Sequence, residues 1–215
     1  AQLSQATTPQ FICVLTTSNH PPYSMPKSFS FDNSALVHKY QNRFMRKEET
    51  LKRFKVFQYC NDALGNFISQ IKANPSLSSK CLIAATGDHP FRGYQIFDKD
   101  VFLKHAVPFY LYAPEAYTQA YQTINYQKCG SHKDIMPTLI ELSLPNANYI
   151  AMGHNLLDNK SNAIGFNSNK VAINNDGVVL IETSGPTYFT WDNYYSQSCK
   201  ENTKLQNLLD QYYAS

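Results

Sequence analysis

No stretch of this chain approaches the ~18–20 consecutive apolar residues that a membrane-crossing helix needs, so no transmembrane span is expected within it. Charge is scarce too: Asp, Glu, Lys and Arg make 16% of the 215 residues, against about 25% in ordinary soluble domains. The 19 basic and 16 acidic residues leave a net charge of +3, and the basic ones never cluster into a long run. Nucleic acid is thereby excluded as the default partner. The five cysteines cannot all pair within one chain, and no CxxC or Cys/His zinc spacing occurs. Cys13 and Cys81 lie in apolar strand-like runs and read as small buried hydrophobes; Cys129 and Cys199 could bridge on the outside of the fold. A starting Met and a signal peptide are also missing. The chain opens at Ala1 and runs almost directly into a strand-like segment, as an excised piece of a longer protein would.

Asn, Gln, Ser and Thr fill the space that charge leaves. Hydrophobic residues make 43%, and 15 Tyr and 13 Phe bring the aromatic share to 13%, which argues against disorder. The length suits one large domain, or a domain with a small appendage.

Phe11-Ile12-Cys13-Val14-Leu15 is a continuous apolar run, the pattern of a strand buried on both faces. It opens into Thr16 to Tyr23, where Pro21-Pro22 forbid helix and ladder alike. Residues 24–45 read as a surface excursion. From about Lys47 a helix is expected: Phe54, Phe57, Leu64, Phe67, Ile68 and Ile71 recur at three- and four-residue spacing, and Asn74-Pro75-Ser76 ends it. Cys81 to Ala85 is a second strand, halted by Thr86-Gly87-Asp88-His89-Pro90. After another excursion over 91–105, Val107 to Tyr112 reads as a third strand, with Pro108 at an edge or first position. A helix follows Ser131. With Ser131 as its N-cap, Pro137 would fall in the second turn; with Asp134 it falls in the first, where the missing N–H is harmless, so Asp134 is expected to cap.

Alternating strands and helices predict an α/β fold with a largely parallel sheet flanked by helices. The texture changes after Asp158. Lys170 to Asn174 and Val178 to Ile181 flank Asn175-Asp176-Gly177, a hairpin signal, and a helix is expected from about Glu201 to Tyr212. The expected division is 1–160 for the main domain and 161–215 for a small subdomain of antiparallel strands plus a helix.

Ligands of open α/β sheets bind beyond the carboxyl ends of the strands. Asp88-His89, just past a strand and a glycine, is therefore the most suggestive pair. Once the chain turns at Gly87 both side chains can converge on one cation, with a hard anionic oxygen and an imidazole nitrogen suited to Mn²⁺, Zn²⁺ or Mg²⁺. The competing reading is turn chemistry, in which Asp88 bonds nearby N–H groups. His20, before Pro21-Pro22, reads as a turn residue on pattern alone. His38 and His105 are expected to be solvated, and His154 to belong to a turn. His132 could face a site or make a loop hydrogen bond.

Thr16-Thr17-Ser18-Asn19-His20-Pro21-Pro22-Tyr23 resembles the "T-x-S-N-H-x-P-Y" stretch of lipoteichoic-acid-synthase-like phosphoglycerol transferases, sulfatase-family members of the alkaline phosphatase superfamily. Further matches follow in order. Tyr59 to Ile68 resembles "Y-x-D-x-A-L-G-x-F-I", Gly87-Asp88-His89 the metal-binding "G-D-H", and Val107-Pro108 the "V-P" strand. Ser131 to Leu139 resembles "S-x-x-D-I-x-P-T-L", and Gly153 to Leu157 "G-x-x-L-L". Together they cover Phe11 to Leu157; the C-terminal tail adds nothing diagnostic.

The resemblance implies an alkaline-phosphatase/sulfatase-like fold, with Asp88 and His89 as ligands of a divalent metal ion and His20 as a contact to the substrate's phosphate or leaving group. It also implies transfer of a phosphoglycerol-type group from a phospholipid-derived or glycan-linked donor, outside the cytoplasm. In the family a Thr or Ser nucleophile and an acidic metal ligand lie upstream of the His20 motif, and membrane helices further upstream still. On this reading those parts belong to an upstream half of the parent protein, no catalytic nucleophile lies in this chain, and the chain alone is inactive. Pro90 replaces the Gly common after the Asp-His pair, and the short 91–105 excursion implies a different substrate rim. Competing readings are phosphoethanolamine transfer, sulfate-ester hydrolysis, or a non-catalytic module that kept the fold.

Overall fold

A computed structural model describes residues 2–97, 101–161, 163–167, 170–192, 195–199 and 203–214. In chain order the elements are α1 (Gln2–Gln5), α2 (Ser34–Tyr40), α3 (Lys47–Ala73), β1 (Ile83–Thr86), α4 (Val101–His105), β2 (Phe109–Tyr112), α5 (Glu115–Thr118), α6 (Ile135–Ser143), β3 (Gly165–Asn167), β4 (Val171–Ile173), β5 (Gly177–Glu182), β6 (Gly185–Asp192), β7 (Tyr195–Cys199) and α7 (Thr203–Ala214). They gather into two compact units: residues 1–83 with 91–95, and residues 84–90 with 96–215.

The first unit is built around α3, whose 27 residues match the helix that the apolar spacing predicts. Its N-terminal half carries an aromatic cluster: Phe54 stacks on Phe91 with centroids 4.5 Å apart, and Phe44 and Tyr94 lie about 6 Å from Phe54. Buried Thr50 donates its hydroxyl to Gly93 O at 2.8 Å, and Arg53 Nη1 donates to Arg92 O at 2.8 Å. Residues 91–95 are thus stitched to the helix; this part of the expected excursion is ordered structure, because its backbone acceptors match the helix's donors.

Phe11 to Leu15 departs from expectation. The segment forms no strand, and its side chains stand in solvent, Phe11 75% and Leu15 89% exposed. An apolar run becomes a strand only where neighbours complete its ladder, and residues 11–15 pair with no strand among the described residues. Cys13 is consequently an exposed thiol, not a buried one.

In the second unit β1 and β2 pair as a two-stranded sheet. Five strands, β3 to β7, run antiparallel in sequence order, and α7 packs on them. Ala172, Val179 and Tyr188 are successive cross-strand partners and form one buried face with Leu205, Leu208 and Leu209 of α7. Val171, Ile173 and Val178 point the other way, towards Cys129. The period of two that places alternate side chains on opposite faces accounts for both clusters. The hairpin forms at the expected place, but its turn is Asn174-Asn175-Asp176: Asn174 Oδ1 accepts the N–H groups of Asp176 and Gly177 at 2.9 and 3.1 Å. Gly177 already belongs to β5, and a Cβ there would sit 2.2 Å from Phe189 O, so close packing, not turn geometry, requires glycine.

Asp134 precedes α6, and Pro137 falls in the first turn as expected. Its side chain does not cap that helix. Instead Asp134 Oδ2 accepts the Ser131 N–H at 2.7 Å, across a 3₁₀ turn over His132–Asp134, while Oδ1 accepts the His154 N–H at 2.8 Å. Thr138 continues the junction, donating to Asp134 O and accepting the Leu156 N–H. Gly153 lets the two segments meet, since a Cβ there would lie 2.2 Å from Lys133 O. His105 is half-buried rather than solvated: its Nδ1 faces Asn167 Nδ2 at 3.3 Å, and burial pushes its pKa down. Cys129 is a free thiol that burial pushes up to about 11; the side chain of Cys199 lies outside the described residues. No helix among the described residues is long and apolar enough to cross a membrane.

Asp134 is fully buried, so Asp134→Ala strands the N–H groups of Ser131 and His154 away from water. The expected loss is about 3 kcal/mol, read from the midpoint and slope of urea unfolding.

Candidate functional site

β1 ends at Thr86, whose hydroxyl donates to Pro108 O at 3.0 Å, anchoring the strand's exit beside the start of β2. The chain then turns through Gly87, whose carbonyl accepts Nε2–H of His132 at 2.8 Å. His132 is held in turn by the buried Ser131–Asp134 junction. Two hydrogen bonds, to separate segments of the chain, therefore fix the base of the Asp88-His89 loop.

Asp88 and His89 project from this base. Asp88 is 89% exposed at its side chain and His89 47%, with His89 Nε2 standing 3.7 Å from Asp88 Oδ2. His89 Nδ1 lies 2.9 Å from Pro90 O; a carbonyl only accepts, so Nδ1 carries the proton and, in the neutral ring, the Nε2 lone pair is left facing the carboxylate. That is the tautomer a metal-binding imidazole adopts when a backbone carbonyl orients it. The separation suits two ligands of one small cation, whose bonds to oxygen and nitrogen run about 2.0–2.2 Å. The substitution Pro90 for Gly leaves the orienting carbonyl in place. Among the described residues no group of three or more His, Cys, Asp and Glu is disposed to hold a metal ion.

His20 belongs to the first unit. It sits in a tight double turn, with its N–H donating to Thr17 O at 3.0 Å and its carbonyl accepting the Tyr23 N–H at 2.8 Å. Its Nδ1 donates to Pro21 O at 3.1 Å, so its Nε2 also faces outward, on an exposed side chain. Tyr23 adopts the left-handed conformation at φ 59°, which a bulky residue takes only when its surroundings enforce it. Here α3 supplies the enforcement. The Arg53 guanidinium lies 5.1 Å from the Tyr23 ring centroid, and Lys52 Nζ donates to Pro22 O at 2.7 Å.

The chain pattern leaves His132 between two readings, and in the structure it makes a loop hydrogen bond, to Gly87 just before the Asp88-His89 pair. The Tyr23–Arg53 contact escapes a sequence reading, because the partners lie 30 positions apart in the chain. His38 is exposed, and the His154 backbone serves the Asp134 junction.

A profile of the sulfatase family matches residues 1–143, two-thirds of the chain. Among solved structures, the crystal structure of the lipoteichoic acid synthase LtaP from Listeria monocytogenes is similar, with a TM-score of 0.60 at 17% identity. The similarity covers 91% of this chain and 49% of that one, so the chain spans about half the length of this relative. No curated protein matches. The fold is the alkaline-phosphatase-like α/β fold, with the small antiparallel sheet and helix at its C-terminal end.

Removing the imidazole that grips Gly87 should loosen the loop without unfolding the unit. For His132→Leu we expect roughly 1 kcal/mol of lost local protection, seen as about fivefold faster amide hydrogen exchange at Asp88 and His89. Unchanged exchange at those two amides would show that His132 does not hold the loop.

Proposed function

The chain belongs to the sulfatase family, and we propose that it is the C-terminal part of a divalent-metal-dependent enzyme that transfers a phosphoglycerol-type group. The donor would be a lipid- or glycan-linked phosphodiester, and the acceptor a hydroxyl group or water. The observation that carries this reading is the Asp88-His89 pair, with its carboxylate and open Nε2 set together 3.7 Å apart.

On this reading Asp88 and His89 hold the cation, Mn²⁺, Mg²⁺ or Zn²⁺. A bound cation supplies charge stabilisation at the transferred group's oxygens and lowers the pKa of the attacking hydroxyl. His20 offers its exposed Nε2 to the substrate's phosphate or leaving group, and the rigid turn on α3 keeps it in position. Residues 1–160 form the C-terminal half of the catalytic domain and 161–215 the small subdomain beside it. The nucleophile and the acidic metal ligand come from an upstream half of the same protein, which also carries the helices that anchor it at the outer face of the membrane. Two features support that division. The chain spans about half of the LtaP structure, and the apolar segment 11–15, exposed here, has the composition of a strand awaiting neighbours.

Metal titration by calorimetry and a phosphodiester- and sulfate-ester assay, run on the 215 residues and on a longer protein with the upstream half, test the proposal. Two protein ligands fall short of the four or more groups that a cation needs, so the shorter chain should bind Mn²⁺ only weakly and turn over neither ester. The longer protein should recover both properties and cleave phosphodiesters in preference to sulfate esters, and Asp88→Ala or His89→Ala in it should abolish them. Tight metal binding with turnover by the shorter chain sinks the division of the site. An inert longer protein with all its ligands present favours a non-catalytic module, and a preference for sulfate esters favours the hydrolase reading.

A further inference from the structure

The second unit contains a cleft of about 520 Å³ between the β4–β5 turn, α7 and the loops around Asn125 and Asn159. That volume lies within the roughly 300–1,000 Å³ typical of small-molecule sites. Neither Asp88, His89 nor any neighbour of theirs in the chain lines it.

Half of its described lining residues carry side-chain amides, and three of these are held by backbone groups. Asn125 Oδ1 accepts the Gln127 N–H at 3.0 Å, and Asn174 Oδ1 accepts from Asp176 and Gly177. Asn159 is engaged at its other end, its Nδ2 donating to Thr123 O at 2.7 Å. An amide has two donors on nitrogen and two acceptor sites on oxygen. Asn125 and Asn174 thus retain NH₂ donors and Asn159 a carbonyl acceptor, each oriented by the hydrogen bond already made. Buried Ile164 and Leu208 supply an apolar floor.

Charge narrows the ligand class. Among the described residues one cation and one anion, Lys128 and Asp176, line the cleft, and Lys128 Nζ donates to Asp158 O and Ser161 Oγ, both at 2.5 Å. A phosphate group would meet no surplus of positive charge here. An acyl chain would meet too much polar rim, with each displaced amide left unpaired. Hydroxyl groups, which donate and accept at once, match the mixed amide ends, and the C–H face of a sugar ring matches the floor.

We propose that this cleft binds a neutral saccharide. Among the described residues the lining contains no aromatic platform, so affinity rests on hydrogen bonds exchanged with water and lies in the millimolar range. The inference does not rest on the transferase reading, since it needs neither metal nor nucleophile.

The test is a ¹⁵N NMR titration of the 215-residue chain with maltose and with cellobiose, alongside glycerol 3-phosphate as an anionic probe. At least one disaccharide should produce saturable shifts of the Asn125 and Asn174 side-chain amides, with a weaker or absent response to the phosphate. Asn207→Ala and Gln211→Ala alter cleft residues on α7 outside its buried core. Each should weaken saccharide binding by roughly threefold to tenfold while leaving the other backbone signals in place. The proposal is overturned if neither sugar gives saturable shifts, if both variants bind as well as the parent chain, or if the phosphate binds more tightly than the sugars.

Discussion

A carboxyl group withdrawn from water has to find hydrogen-bond donors inside the protein, and the way Asp134 meets that requirement shapes the rest of the second unit. It takes donors from two directions, Ser131 from just before it and His154 from twenty residues later. Because those donors belong to the backbone, the two segments can meet in one register only. Gly153 is part of the same requirement, for any side chain there would push the segments apart. The 3₁₀ turn so fixed presents His132 to Gly87, and through that contact the buried junction reaches the Asp88-His89 loop.

Exposure follows a consistent division. Asp134 at the root of the junction is buried, whereas Asp88, His89 and His20 stand in solvent with one ring nitrogen of each histidine tied to a local carbonyl. The two histidines share the same local device: the following proline residue supplies the carbonyl that orients the ring. Such pre-orientation leaves Nε2 outward at little entropic cost, since the imidazole is fixed before any ligand arrives.

The amide-lined cleft shows the same economy on another part of the unit. There, turns that stabilise the hairpin and loops also fix the side chains that face solvent, so structural hydrogen bonds and ligand-ready groups belong to the same residues. The position of Gly177 makes the cleft floor possible, because close approach of β5 to β6 brings Leu205 and its helix down onto the sheet.

Local patterns in the chain determined a good deal. The three-and-four spacing of apolar residues specified α3 almost to its ends, Asn-Asp-Gly between β-branched runs specified the hairpin, and Pro137 specified where α6 begins. These features depend on neighbours within a few residues, where backbone geometry alone decides. Motif order likewise identified the family. Tertiary structure decided the rest. Phe11 to Leu15 has the composition of a strand, yet a strand exists only with a partner, and composition cannot supply one. Asp134 looked like a forward cap and instead reaches back to Ser131 and across to His154, because its buried carboxyl group must find donors and the fold brings these two N–H groups to it. His105 read as solvated and is half-buried against Asn167, a contact 62 residues apart in the chain that no periodicity encodes.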